Sequence, residues 1–380
     1  MIPYGRQSID DDDINNVIDV LKSDFLTQGP AVPAFENAVA AVCGAAHAVA
    51  VNSATSALHI ACMALGVGRG DIVWTSPITF VASSNCALYC GATVDFVDID
   101  AATQNMSVAR LTEKLHAAEI AGKLPKIVIP VHFAGHPCDM KPIHELGLRY
   151  GFKIIEDASH AIGARYQQTL IGDCTYSDIT VFSFHPVKII TTAEGGMATT
   201  QSAKLARSMQ VLRSHGVTRE ADELENSNEG PWYYEQHLLG YNYRMTDMQA
   251  ALGLSQIKHI EAWLARRHHL ADQYDLALGG LPLAITQRAS ADYCALHLYC
   301  IQVEDRRRIF EHLRASGIGV NVHYIPVYLQ PYYKRLGFKP GQFPNSEAFY
   351  SKTISLPMFA GLKDYDQAQV IQAVKAALSS

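Results

Sequence analysis

Short apolar segments alternate with helix-length segments through the first two-thirds of the chain. Each apolar segment is four to eight residues long and rich in β-branched or aromatic residues, as strands buried on both faces are. These segments occupy residues 47–51, 72–75, 93–97, 126–131, 153–157 and 179–184. Because β-α repetition sets successive strands side by side beneath helices, the pattern predicts an α/β fold with a largely parallel, helix-covered sheet.

The pattern changes after about residue 200. A long helical pattern runs from Thr246 to about Leu278. Beyond it we expect two strands and two helices, the strands at 297–303 and 319–325 and the helices at 305–316 and 364–378. A chain of 380 residues holds about two to three domains. We therefore expect a large α/β domain at 1–245 and a smaller α+β domain, joined by the long helix, at 246–380.

The first predicted helix has an apolar stripe. Ser8 can cap this helix, because a serine side chain can accept a hydrogen bond from a free N–H group of the first turn. The stripe follows the i, i+3, i+4, i+7 spacing of an amphipathic helix and consists of Ile14, Val17, Ile18 and Leu21.

The composition argues against several classes of function. Lys and Arg total 31 against 37 Asp and Glu, a net charge of −6, and no basic block offers the patch that nucleic-acid binding needs. No apolar stretch reaches the roughly 18 residues of a membrane span, and the first residues lack a secretory signal pattern. The eight cysteines form no CxxC pair and no zinc-like spacing. We therefore expect a cytoplasmic protein with buried free thiols and without a metal site.

The segment FSFHPVKIITTAEGG, at 182–196, carries the most specific chemical signal. A predicted strand ends at Phe184, and a polar turn then presents Lys188. Most lone lysines are solvated surface charges, but Val187 and Ile189 closely flank this one. Burial lowers the pKa of a lysine and frees its amine to attack a carbonyl, as in the covalent link to pyridoxal 5'-phosphate (PLP). Lys188 is therefore the candidate catalytic residue.

A PLP site also needs a carboxylate that keeps the pyridine nitrogen protonated. Asp157 ends the predicted strand at 153–157, at the sheet edge where α/β proteins bind ligands. It could instead cap the following turn. His160 could hydrogen-bond the ring hydroxyl or be an ordinary core histidine.

The phosphate and the ring need further contacts. Small residues open a helix at Ala54 and Thr55, and a helix N-terminus offers free N–H groups and a favourable dipole to an anion. Such residues also cap many helices without a ligand. Ser183 could add a hydroxyl from its strand end. Phe80, which we expect to begin a helix, could stack on the ring or be a core aromatic.

Six segments, taken in order, resemble the DegT-type sugar aminotransferases. They are NSATSAL, TSPITFVASSN, EDASHAIGA, FSFHPVKIITTAEGG, LRSHG and GYNYRMTDMQAALGLSQI, and the match covers essentially the whole chain. The resemblance implies the PLP-dependent fold type I of aspartate aminotransferase, with a seven-stranded, mostly parallel sheet and a smaller C-terminal α+β domain. It also implies a homodimer with active sites at the subunit interface.

The same resemblance implies a role for each candidate residue. Lys188 matches the lysine that holds PLP, Asp157 the partner of the pyridine nitrogen, and His160 the residue near the ring oxygen. Phe80 matches the aromatic on the ring face. The phosphate contacts fall to Ala54, Thr55 and Ser183, and to Asn242 of the neighbouring subunit.

Other segments are similar to one branch of the family. This branch transfers an amino group from L-glutamate to C4 of a UDP-linked 4-keto-6-deoxy-N-acetylhexosamine in pseudaminic acid biosynthesis. The segments are IPYGRQSI, SDFLTQGP and NVHYIPVY. By this resemblance the sugar-nucleotide site is lined by Tyr4, Asp24, Phe25, Leu26, Thr27, Asn321, Val322, His323 and Tyr324.

Three alternatives stay open. The first is an aminotransferase of the same family that acts on another UDP- or GDP-linked 4-keto sugar. The second is a PLP-dependent sugar dehydratase, although that branch has His in place of the lysine and this chain has Lys188. The third is a binding or regulatory protein that retains a PLP pocket, against which the presence of Lys188, Asp157 and Asn242 argues.

Overall fold

A computed structural model describes residues 1–226 and 229–379. Their helices are α1 Asp11–Lys22, α2 Ala31–Cys43, α3 Ala54–Ala64, α4 Ala82–Tyr89, α5 Val108–Ala121, α6 Met140–Tyr150, α7 Ala203–Leu212, α8 Asp247–Gln256, α9 Ile260–Leu278, α10 Arg306–Ala315, α11 Pro331–Arg335, α12 Pro344–Lys352 and α13 Asp364–Ser379. Their strands are β1 His47–Val51, β2 Ile72–Thr75, β3 Thr93–Phe96, β4 Ile127–Ile129, β5 Lys153–Asp157, β6 Arg165–Tyr166, β7 Thr169–Leu170, β8 Ile179–Ser183, β9 Gly196–Thr200, β10 Val217–Thr218, β11 Glu235–Gln236, β12 Ala284–Ile285, β13 Tyr299–Gln302 and β14 Thr353–Leu356.

The central sheet has seven strands in the order β1-β9-β8-β5-β4-β2-β3. Its strands are parallel except for β9, which runs antiparallel to both neighbours, β1 and β8. Alternate residues of a strand pack into different apolar clusters; Ile127 and Ile129 of β4 belong to one, and Val128 to the other. Because side chains alternate across a strand, both faces of the sheet are buried. The predicted mostly parallel, seven-stranded α/β sheet is confirmed.

The C-terminal part of the chain forms a smaller antiparallel sheet, β12-β13-β14, with its own apolar core. The predicted helices at 305–316 and 364–378 correspond to α10 and α13. The long helix predicted from Thr246 is interrupted, because a 3-10 turn at Ile257–His259 separates α8 from α9. The division of the chain at 245/246 stays a prediction.

The strand predicted at 319–325 is wrong. Ile318 and Val320 are buried in the small core, which accounts for the alternating pattern. The backbone forms isolated bridges instead of a ladder, from Ile318 to Ile2 and from Asn321 to Ser355. The chain therefore leaves the sheet at Asn321, and the edge position beside β13 belongs to β14.

Helix α1 also begins later than Ser8. Asp10 is its N-cap, and the side chains of Asp10 and Asp13 each accept a hydrogen bond from the other's backbone N–H. This reciprocal capping box satisfies two N–H groups at the helix start and outcompetes a single serine hydroxyl. The apolar stripe that the sequence predicted is largely exposed, with Ile14 49% and Leu21 54% accessible.

The described residues contain no disulfide, no candidate metal site and no candidate membrane-spanning helix. All eight cysteines are free, and seven of them are buried. In the described ranges no group of His, Cys, Asp and Glu side chains could hold a metal ion. Within those same ranges, no helix combines the length and apolarity of a membrane span.

The contact between β9 and the start of α3 leads to a stability prediction. A Cβ atom at Gly196 would lie 2.5 Å from the backbone nitrogen of Ala54, so Gly196→Ala must displace backbone. We expect the free energy of unfolding to fall by about 1–3 kcal/mol, the usual cost of overpacking. Urea denaturation measures this change.

Gly68→Ala is the matched control, because a Cβ atom there meets nothing within 4 Å. We expect it to change stability by less than about 0.5 kcal/mol. Equal effects of the two substitutions would contradict the close approach at Gly196.

Candidate active site

A cavity of about 560 Å³ lies at the carboxyl ends of β5 and β8, beside the N-terminus of α3. Ligand sites in open α/β sheets form at this edge. Twelve of the residues predicted from the sequence line the cavity together, namely Tyr4, Ala54, Thr55, Phe80, Asp157, His160, Ser183, Lys188, Asn321, Val322, His323 and Tyr324.

Lys188 lies in the turn between β8 and β9. Its backbone N–H donates to the carbonyl of His185, and Thr192 N–H donates to the carbonyl of Phe184, so the turn is closed on itself. Burial lowers the pKa of the Lys188 amine to about 8, although the charge of Asp157 acts in the opposite direction. A larger fraction of this amine than of an ordinary lysine is therefore neutral near physiological pH and can act as a nucleophile.

Asp157 is buried at the end of β5, and three donors hold its carboxylate. Ser83 Oγ donates to one oxygen at 2.5 Å, while Ser159 donates to the other from its backbone N–H at 3.1 Å and from its hydroxyl at 2.6 Å. The sequence analysis did not single out either serine, although Ser159 lies within the EDASH motif and Ser83 within TFVASS.

The start of α3 opens into the cavity. Ser53 is the N-cap, and its hydroxyl accepts from Ser56 N–H, which leaves the N–H groups of Ala54 and Thr55 at the cavity wall. Four N–H groups at a helix start lack partners within the helix, and the helix dipole adds positive potential there. Ser183, at the end of β8, lines the same cavity.

His160 is surrounded by aromatic and imidazole rings. Its ring lies 4.4 Å from that of His297, which also lines the cavity and which the sequence analysis missed. The amide N–H of Ala134 donates to Nδ1 at 3.2 Å, and Nε2 is 3.1 Å from the hydroxyl of Tyr324. Burial lowers the pKa of His160 well below its usual value, and the charge of Lys188 adds to the effect.

Phe80 lies at the mouth of the cavity and is 61% exposed, so it is not a core aromatic. It precedes α4 by two residues instead of beginning the helix as predicted.

Five of the predicted residues do not line the cavity of their own chain. Asn242 is exposed and forms a backbone bridge with Ser214. Asp24, Phe25, Leu26 and Thr27 form an exposed loop beside the start of α8, where Thr27 bridges to Thr246 and the carbonyl of Leu26 accepts from Asp247 N–H.

The family model described as DegT/DnrJ/EryC1/StrS aminotransferase family matches residues 7–375. The chain belongs to this family. It is 41% identical over 98% of its length to the spore coat polysaccharide biosynthesis protein SpsC of Bacillus subtilis, of which the match covers 96%. It is also 39% identical over its whole length to the uncharacterized protein MJ1066 of Methanocaldococcus jannaschii, of which the match covers 98%.

Two solved structures have the same fold across the whole chain. The putative sugar aminotransferase Spr1654 of Streptococcus pneumoniae, in its PMP form, has a TM-score of 0.91 at 31% identity and is covered over 99% of its length. PseC of Helicobacter pylori, an aminotransferase of pseudaminic acid biosynthesis, has a TM-score of 0.91 at 30% identity and the same coverage. The chain is thus a PLP-dependent sugar aminotransferase with the predicted fold.

The residues of the cavity fit this cofactor. PLP needs an amine for its aldehyde, a carboxylate for its ring nitrogen and donors for its phosphate, and the cavity offers Lys188, Asp157 and the start of α3. The close approach of Gly196 to Ala54 leaves no room for a side chain behind these donors.

The electrostatics of Lys188 give a testable pH dependence. In the cofactor-free protein we expect the rate of Lys188 acetylation to rise with pH, and the midpoint of this rise to lie near pH 8, because only the neutral amine reacts. Asp157→Asn should lower the midpoint, since it removes the charge that favours the protonated amine. Peptide mass spectrometry measures both midpoints, with the exposed Lys258 as an internal reference for the reagent. A midpoint above 10 that does not respond to Asp157→Asn would contradict this account.

Proposed function

We propose that the protein transfers the amino group of L-glutamate to C4 of a UDP-linked 4-keto-6-deoxy-N-acetylhexosamine, in pseudaminic acid biosynthesis. The observation that carries the reaction is the meeting of Lys188, Asp157 and the start of α3 in one cavity. The likeness to PseC over the whole chain supports the choice of sugar. We also propose a cytoplasmic location, which the free cysteines support.

Lys188, Asp157 and the start of α3 each have a distinct task in this reaction. PLP, when bound, supplies an electron sink for the carbon that loses its proton. Lys188 Nζ accepts the α-proton of L-glutamate in the first half-reaction and delivers a proton to sugar C4 in the second, a double role that a pKa of about 8 allows. Asp157 keeps the ring nitrogen protonated, and the N–H groups at the start of α3 hold the phosphate.

The sugar would lie against the segment Asn321–Tyr324 and the N-terminal residue Tyr4. The rings of Tyr4 and His323 are 5.3 Å apart and both residues line the cavity, so the two segments form one wall. This wall combines aromatic surface with the amide of Asn321, as sugar rings require. Its exposed neighbour Ile325 offers no polar group to the substrate.

We further propose a homodimer whose active sites each contain residues of both subunits. Asn242, bridged to Ser214, and the loop Asp24–Thr27, bridged to Thr246 before α8, do not line the cavity of their own chain. Large apolar side chains are exposed around them, among them Phe25, Leu26 and Leu239, at 52%, 47% and 78%. The exposure of such large apolar side chains supports their burial against a second subunit.

Another nucleotide 4-keto sugar is the second candidate substrate. The identity to SpsC, at 41%, exceeds the 30% identity to PseC, and SpsC is described as a protein of spore coat polysaccharide biosynthesis. Incubation with L-glutamate and each candidate UDP- and GDP-linked 4-keto sugar, followed by NMR of the products, distinguishes the two proposals. Amination of a GDP-linked sugar alone would overturn the first.

Removal of the Lys188 amine should abolish turnover. We expect Lys188→Ala to fold normally, to lose the visible absorbance of lysine-bound cofactor and to lose at least about 1,000-fold in rate, since it removes both nucleophile and proton carrier. Lys188→Arg keeps a cation and most of the volume but cannot form the covalent link, so it should be equally inactive. Near wild-type turnover in either variant would refute the role of Lys188.

The shared site predicts complementation between two inactive variants. Asn242→Glu should inactivate by placing a negative charge beside the partner's phosphate, and Lys188→Ala inactivates its own subunit. In a mixed dimer one site carries both defects and the other carries neither, so we expect about half of the wild-type activity per mixed dimer. Each variant taken alone through the same subunit exchange is the control. Exchanged mixtures without any recovered activity would contradict the shared site.

A further inference from the structure

The hydrogen bonds of His160 fix its tautomer. The amide N–H of Ala134 donates to Nδ1 at 3.2 Å, so Nδ1 carries no proton. A neutral imidazole has one ring proton, which must then lie on Nε2. Burial, together with the charges of Lys188 and His323, lowers the pKa of His160 and keeps the ring neutral.

The position of Ala134 depends on an unusual backbone. Its φ is +58°, and the next residue, Gly135, has a φ of +91° and approaches so closely that a Cβ atom would lie 2.8 Å from the carbonyl oxygen of His160. Backbone hydrogen bonds from Ala295 and Leu298 tie this turn to the segment before β13. Left-handed conformations of non-glycine residues persist where the surrounding structure enforces them, often at functional sites.

The tautomer of His160 decides the direction of the next hydrogen bond. Nε2–H donates to the hydroxyl oxygen of Tyr324 over 3.1 Å. Burial raises the pKa of Tyr324 well above its usual value, and repulsion from Tyr4 and Asp157 adds to this, so the hydroxyl keeps its own proton. Within residues 1–226 and 229–379 the hydroxyl has no second hydrogen-bond partner, and Tyr324 lines the cavity.

We propose that His160 is a positioning residue, whose fixed Nε2–H tautomer turns the Tyr324 hydroxyl into a hydrogen-bond donor toward an oxygen atom of the ligand bound at Lys188. The hydroxyl accepts from His160 and therefore directs its own proton into the cavity. The acceptor is either the phenolic oxygen of the cofactor or an oxygen of the sugar. The inference rests on the transamination proposed above, and it adds a role for His160 that acts through Tyr324.

The tautomer can be observed without turnover. In cofactor-free protein labelled with ¹⁵N-histidine, we expect the two nitrogens of His160 to show the distinct shifts of an Nε2–H imidazole. Tyr324→Phe should move the Nε2–H proton signal upfield, because it removes the acceptor. An Nδ1–H tautomer, or a signal that Tyr324→Phe leaves unchanged, would overturn the inference. This measurement stays valid even if the enzyme proves to act on no sugar.

Two substitutions test separately the Nδ1 position of His160, which accepts a hydrogen bond, and the Nε2 position, which donates one. The amide of His160→Gln can reach the position of Nε2 and donate to Tyr324, whereas that of His160→Asn reaches only the position of Nδ1. We expect Tyr324→Phe and His160→Asn each to lose about tenfold or more in kcat/KM, and His160→Gln to stay within about threefold of the wild type.

A double-mutant cycle tests whether His160 acts through Tyr324. If it does, His160→Asn should change kcat/KM less than about twofold in the Tyr324→Phe background. Losses that multiply would overturn the inference, because they would mean independent roles.

The half-reactions identify the acceptor oxygen. A slower glutamate half-reaction in Tyr324→Phe, measured without sugar by the cofactor spectrum, supports the cofactor oxygen. A loss confined to the sugar half-reaction supports the sugar oxygen. Unchanged rates in both half-reactions would overturn the inference.

Discussion

The charge of Asp157 influences the protonation of Lys188 because β5, which ends at Asp157, and β8, which precedes Lys188, are neighbours in the sheet. β5 and β8 pair in parallel, with Asp157 opposite Val181, so the segments that follow the two strands leave the sheet at the same edge. Burial favours the neutral amine of Lys188, and the charge of Asp157 favours the protonated one. The resulting pKa of about 8 suits a group that takes up a proton and returns it. The start of α3 opens at this edge too, so Ala54, Thr55 and Lys188 line one cavity.

The large sheet could be predicted because burial on both faces leaves continuous apolar runs in the sequence. β1, β2 and β5 have the predicted bounds. The same reasoning failed at 319–325, since an alternating pattern reports which side chains are buried and not what the backbone pairs with. Val320 is buried in the small core, while Asn321 and His323, which follow it directly, line the cavity.

Contacts between segments that are distant in sequence leave no local pattern. The sequence therefore does not indicate that His297 and Ser83 belong to the site. His297 lies in the segment before β13 and Ser83 in α4, yet His297 contacts the ring of His160 and Ser83 donates to Asp157. Six of the twelve predicted residues that line the cavity lie at strand ends, in the turns after them or at a helix start, where topology brings them together, namely Ala54, Thr55, Asp157, His160, Ser183 and Lys188. Their roles, like those of Asn242 and the loop Asp24–Thr27, stay predictions.

Two adjacent carboxylates at the end of β5 show how the register of a strand determines which side chain faces the cavity. Glu156 and Asp157 point to opposite faces of the sheet, as successive residues of a strand do. Glu156 is buried away from the cavity and accepts hydrogen bonds from His132 Nε2 at 2.7 Å, Ser177 Oγ at 2.5 Å and Thr180 Oγ1 at 3.0 Å.

Asp157 meets the cavity, and its donors come from the start of α4 and from the turn that follows β5. A slip of β5 by one residue would exchange the two carboxylates between the faces. The pairing of Glu156 with Thr180 and of Asp157 with Val181 therefore determines which carboxylate faces Lys188. The buried bonds of Glu156 stabilise that register from the opposite face, so a residue without access to the ligand helps to hold the one that has it.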